Sequence, residues 1–217
     1  FTSTTIHAAD RFWITPTTGP FNAVANWSTT DGGPGGASVP VLADVANFTL
    51  GNTYSVTFAT AATNTDLDVD NGNVTFELGG STYTLTSTFA VDIASTSGQT
   101  GRLTVKDGVL GVDTTGDNIE LGVFAGSSGF LTVTTGGSLG TAAFRPELVV
   151  ARSGSGTLTV NKANQTITFG ALVDKTYGDA PFTVSATSSS GLTVTFSAVP
   201  VTVHVVAALA GEVADRV

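Results

Sequence analysis

One short string returns four times along this chain, and it limits what the chain can fold into. The copies are Leu67-Asp-Val69-Asp-Asn-Gly72, Leu103-Thr-Val105-Lys-Asp-Gly108, Leu131-Thr-Val133-Thr-Thr-Gly136 and Leu158-Thr-Val160-Asn-Lys-Ala163. Each is Leu-x-Val, two polar residues and Gly, with Ala163 breaking the rule in the last. They are spaced by 36, 28 and 27 residues. Self-similarity at roughly 20–50 residues marks stacked, repetitive architectures. In a strand, successive side chains face opposite ways, so Leu and Val point into an interior and the residue between them points out. Gly follows where the chain must turn a corner, because it tolerates positive φ and close approach. A repeat of about 27 residues holds roughly three short strands and three corners. Further strand candidates are Val74-Thr-Phe76, Tyr83-Thr-Leu85, Ile119-Glu-Leu121 and Leu148-Val-Val150. The competing reading is an ordinary β-sandwich with coincidental Leu-Thr-Val strings. The near-equal later spacings and the shared glycines favour coils.

Composition agrees with an all-β chain. Hydrophobic residues make up 41% and charged residues 12%, the reverse of a disordered acidic tail. The net charge of −9 argues against nucleic acid and anionic membranes, which need clustered Lys and Arg. It attracts divalent cations, which raises the question of calcium. With no Cys, thiol catalysis and thiolate metal sites are excluded. The chain begins at Phe1, contains no Met and shows no signal-peptide pattern there, which predicts a removed leader or a fragment. No apolar run approaches the ~20 residues a membrane helix needs. The run from Val199 to Ala210 is short and holds Pro200 and His204.

Two segments resemble known families. Ser128-Gly-Phe-Leu-Thr-Val-Thr-Thr-Gly-Gly-Ser-Leu139 and Gly154-Ser-Gly-Thr-Leu-Thr-Val160 resemble the repeats of bacterial autotransporter-like and PEP-CTERM-associated surface proteins. That resemblance, running from about Trp13 to Val160, implies an extracellular β-helix. Lys162-Ala-Asn-Gln-Thr-Ile-Thr-Phe169, Asp174-Lys-Thr-Tyr-Gly-Asp-Ala-Pro-Phe182 and Ser189-Ser-Gly-Leu-Thr-Val-Thr-Phe-Ser197 resemble the opening of the bacterial Ig-like MBG family. Members of that family serve as stalk or spacer modules in adhesins. Thr193 stands where the family usually has Pro, and the likeness stops after Ser197. The tail from about 198 reads more like helix than strand, which predicts truncation or a frame change near Ser197.

Several residues carry chemistry in principle. Asp66, Asp68 and Asp70 share one face of a strand, and a calcium ion with oxygen ligands would relieve their repulsion. If the repeat copies are neighbours, Asp66 lies opposite Arg102 and Asp70 opposite Lys106, an ion-pair ladder of roughly 0.2–1 kcal/mol per pair. A solvated row is the third reading. Asp113, Asp117 and Asn118 form a second acidic loop, explained either by turn chemistry or by calcium. Gly136-Gly-Ser138-Leu-Gly140 matches the nucleophile-elbow string literally, but Pro146 interrupts the helix such an elbow needs. The only histidines, His7 and His204, lie near the ends. Phe12, Trp13, Phe21 and Trp27 either cap the first coil or stack on carbohydrate.

The expected architecture is therefore an all-β chain in two parts. Residues 1–160 form a β-solenoid (parallel β-helix) with an N-terminal aromatic cap. Residues 162–217 form a partial MBG-like Ig-type β-sandwich with an atypical tail. The expected role is a non-enzymatic extracellular or cell-surface scaffold or adhesin segment. Its expected partners are extracellular polysaccharide or a surface protein, and itself through open β edges. The alternative is a calcium-dependent extracellular hydrolase or lyase acting on carbohydrate or a small ester or lactone. No other cofactor is implied.

Overall fold

The computed structural model describes residues 9–87, 91–112, 118–134, 136–140, 146–161, 166–171, 180, 183–189 and 193–196. The chain divides into two units, Phe1–Asn164 and Gln165–Val217. In the first unit β-branched residues and alternating apolar positions make short strands, and Gly or Asn-Gly steps end them.

The chain opens with β1 (Asp10–Trp13), β2 (Gly19–Pro20), a helical turn at Val24–Asn26 and β3 (Trp27–Ser28). It continues through β4 (Val45–Phe48), β5 (Thr53–Thr57) and β6 (Ala62–Asn64), then β7 (Asp66–Val69), β8 (Gly72–Glu77) and β9 (Thr82–Leu85). Next come β10 (Val91–Ile93), β11 (Thr100–Lys106) and β12 (Gly108–Val112), then β13 (Asn118–Leu121), β14 (Ser128–Val133) and β15 (Gly137–Leu139). The unit ends with β16 (Glu147–Val150) and β17 (Ser155–Val160). From β4 onward, successive strands enter three sheets in rotation. The first sheet is ordered β16-β13-β10-β7-β4-β1-β3, the second β17-β14-β11-β8-β5-β2 and the third β15-β12-β9-β6. Neighbours are parallel throughout, except β3, which runs antiparallel to β1.

Register shows what the repeat encodes. Leu103, Leu131 and Leu158 are direct partners in the second sheet, and Val74 precedes them. Leu67 is not part of that row. It lies in the first sheet between Ala46 and Val91. The 36-residue interval therefore compares strands of two different sheets. Both kinds of strand show apolar-x-apolar alternation because both aim alternate side chains at one interior. The expected pairing of Asp66 with Arg102 and Asp70 with Lys106 is corrected on the same ground. Arg102 lies beside Asn73 and Phe130, and Lys106 beside Glu77.

The expected fold needs correction as well. The described residues form several stacked, mostly parallel sheets, the pairing pattern of α/β proteins, built almost without helix. They do not make a regular β-solenoid. Registered partners in the second sheet are 20 residues apart from Tyr54 to Val74 but 29, 28 and 27 thereafter. The described part of the opening passage places no strand in the third sheet, and β3 reverses direction. Nor do the described residues form an Ig-like sandwich. The strands described in the second unit are β18 (Ile167–Phe169) and β19 (Ala186–Ser188), a single antiparallel ribbon. A sandwich needs two facing sheets. The expected tail from 198 lies outside the described residues.

The core of the first unit lies between the sheets. Its early part is aromatic: Trp13 and Trp27 are fully buried, with ring centroids 5.3 Å apart edge to face. Phe21 packs on Trp27 at 5.2 Å and on Phe58 at 4.7 Å. The indole nitrogens are satisfied, Trp13 donating to the Thr15 carbonyl at 2.6 Å and Trp27 to that of Phe21 at 2.7 Å. These two rings have no face left for stacking on a sugar. Phe12 points to the other side of β1 and is only partly buried. Beyond Tyr83 the core turns aliphatic, with Leu103, Leu110, Ile119, Leu121 and Leu131.

Candidate functional site

Two outward surfaces and one groove bring chemistry-bearing side chains together. The first surface is an acidic row on the first sheet. Leu67 and Val69 point inward, so Asp66 and Asp68 point outward. Register sets Asn47, Asp68, Asp92 and Glu120 side by side on β4, β7, β10 and β13. Burial and the surrounding carboxylates, Asp92 foremost, push Asp68 up to about 7. Burial, then Glu120 and Asp66, push Asp92 up to about 7 as well, against the pull of Arg152. Burial also raises Asp66, and a hydrogen bond with Ser87 offsets part of that. One oxygen each of Asp66 and Asp92, the Oδ1 atoms, is buried without a hydrogen-bond partner.

Glu120 closes the row and is only 2% exposed. The Arg152 Nη1 donates to its Oε1 at 2.6 Å. At the other end Asn47 donates to Asp10 Oδ1 at 3.3 Å. Asp70, just past the end of β7, accepts hydrogen bonds from Ser95 Oγ at 2.7 Å and Thr96 Oγ1 at 2.8 Å. It lines a small polar cleft of about 340 Å³ with Asp31, Thr49 and Asn71. Asn118 donates to Glu120 Oε1 at 3.4 Å. Asp113, Asp117, His7 and His204 lie outside the described residues. Among the described residues no group of three or more His, Asp or Glu side chains is placed to hold a metal ion.

The second surface is the outer face of the second sheet. Ser55, Thr75, Thr104, Thr132 and Thr159 stand in one registered column across β5, β8, β11, β14 and β17. On one side run Asn73, Arg102 and Phe130, with the Arg102 guanidinium 3.7 Å from the centroid of the Phe130 ring. On the other run Thr57, Glu77 and Lys106, whose Nζ lies 4.0 Å from Glu77 and 3.8 Å from Asp107. Both the row and the column arise because strands repeat in register, so one outward position becomes a line of side chains.

The groove is apolar, about 370 Å³, lined by Phe21, Val41, Leu42, Phe58 and Ala62 beside β6. Ser138 lies on β15 beside Val109, and its Oγ donates to the Gly108 carbonyl at 3.5 Å. No base or oxyanion donor converges on it among the described residues. Glu120 and Arg152 escaped sequence reasoning. The string Ile119-Glu-Leu121 does place Glu120 outward, but its partner is 32 residues away, one strand beyond in the first sheet.

No family model, no curated protein and no solved structure matches this chain. Among the described residues no helix is long and apolar enough to cross a membrane.

Proposed function

We propose that the chain is a non-enzymatic scaffold or adhesin segment of an extracellular or cell surface. The registered hydroxyl column of the second sheet carries this reading. A line of Ser and Thr side chains, flanked by Arg102 with Phe130 and by Lys106 with Glu77, makes many weak, equivalent contacts with a polymeric partner such as an extracellular polysaccharide. Affinity then comes from repetition along the chain and among chains, through effective concentration. The net charge of −9 suits a neutral or cation-bridged partner better than a polyanion.

The test is to display the protein on beads at graded density against immobilised polysaccharides. Retention should rise steeply with density and fall when Thr104→Val and Thr132→Val are combined, with the melting temperature unchanged. Density-independent binding would overturn the reading. So would calcium-dependent turnover of an ester, lactone or polysaccharide by the soluble protein.

A further inference from the structure

We propose that Asp68 and Asp92 share one proton across β7 and β10, making the first sheet a pH-sensitive element that tightens on mild acidification and loosens as the proton leaves. The geometry is a direct register pair on adjacent parallel strands, both side chains outward and half-buried. Among the described residues, the charged groups facing the pair are these. Asp66 and Asp70 flank Asp68 along its own strand line. Asp10 reaches it from β1, and the neutral Asn47 stands between Asp68 and Asp10. Glu120 adjoins Asp92 from β13, and Arg152 beyond β16 binds Glu120. Among the described residues one cation, Arg152, thus serves this row of acids, and it is held at the end of the row. The buried Asp92 Oδ1 has no hydrogen-bond partner. A shared proton would join the two carboxyls by an O–H···O⁻ bond, the strong charge-assisted kind.

The direction of the pH effect follows from both groups standing at about 7 when folded. Unfolded carboxyls titrate near 3.9, so between about pH 4 and pH 7 the folded state holds protons the unfolded chain has lost. Stability therefore falls as pH rises through that window and levels off above it. The two groups titrate as a pair, with macroscopic steps belonging to neither alone.

The experiment is thermal unfolding in EDTA from about pH 5.5 to about pH 8. The melting temperature should fall by at least about 5 °C over that range. Asp92→Asn should melt higher than the wild type at the upper end and lose part of the slope, since burial still holds Asp68 up. His7→Gln with His204→Gln should keep the slope; an ordinary imidazole changes charge in this pH range, so the pair of substitutions separates the carboxyls from the histidines. Carboxyl-carbon NMR titration of the wild type reads the pair without mutation. A melting temperature that is flat or rises with pH would overturn the proposal. So would an undiminished slope in Asp92→Asn, or both carboxyls titrating below about pH 5.

Discussion

Leu131→Ala tests whether the three sheets share one interior. Leu131 is fully buried between Leu103 and Leu158 in the second sheet. The substitution removes three carbons, each worth about 0.8 kcal/mol in transfer from water. The cavity left behind adds roughly 1–1.5 kcal/mol, because packed sheets relax only partly. The expected loss is about 3.5 kcal/mol. For a unit of this size that lowers the melting temperature by roughly 7–14 °C. Leu103→Ala should cost about the same, since Leu103 also has a registered neighbour on each side. Leu158 lies on the last strand of its sheet and is only partly buried, so the same change there should cost about 1 kcal/mol. The assay is urea unfolding followed by tryptophan fluorescence. Trp13 and Trp27 sit in the opening turn of the first unit, many strands from Leu131. A midpoint shift seen by those indoles shows the damage reaching across a cooperative core. An unchanged tryptophan midpoint in Leu131→Ala, or an equal loss at Leu158, would refute the reasoning.

Further outcomes follow from other contacts. Gly129→Ala should destabilise by about 2–3 kcal/mol, because an added Cβ would lie 2.5 Å from the Ile93 carbonyl oxygen and 2.6 Å from the Gly122 nitrogen. Thermal unfolding checks it, with Gly80→Ala, which meets nothing nearby but has positive φ, as the comparison for pure backbone strain. Arg152→Ala should lower the melting temperature more than Lys106→Ala, since it strips the ion partner from a buried Glu120. Lys106 pairs with half-exposed acids, so its loss should move stability by less than about 1 kcal/mol.

The strands were legible in the sequence to different depths. Val74-Thr-Phe76, Tyr83-Thr-Leu85, Ile119-Glu-Leu121 and Leu148-Val-Val150 all lie within strands, because alternation reports local backbone geometry. Which sheet a strand joins is not local information. Leu67-Asp-Val69 and Leu103-Thr-Val105 have the same pattern and different neighbours. That one misassignment displaced the expected partners of Asp66 and Asp70. It also hid the Asp68–Asp92 pair, which becomes visible only when Leu67 is set beside Val91. The Ig-like expectation rested on a resemblance to a family, which carries no information on how this chain's strands pair, and the described pairing amounts to one ribbon.

The reversal at β3 has a consequence for growth. Laid antiparallel against β1, the two-residue β3 becomes the rim strand itself, and its Trp27 carbonyl already accepts from the Ala37 N–H at 3.0 Å. At the opposite rim, β16 and β17 each have one neighbour within their sheets among the described residues. The two rims of the first sheet are thus unlike: one is a short reversed strand met in part by the loop that follows it, the other is the four-residue β16, parallel to its neighbour. A parallel strand from a second molecule therefore extends that sheet more readily past β16 than past β3.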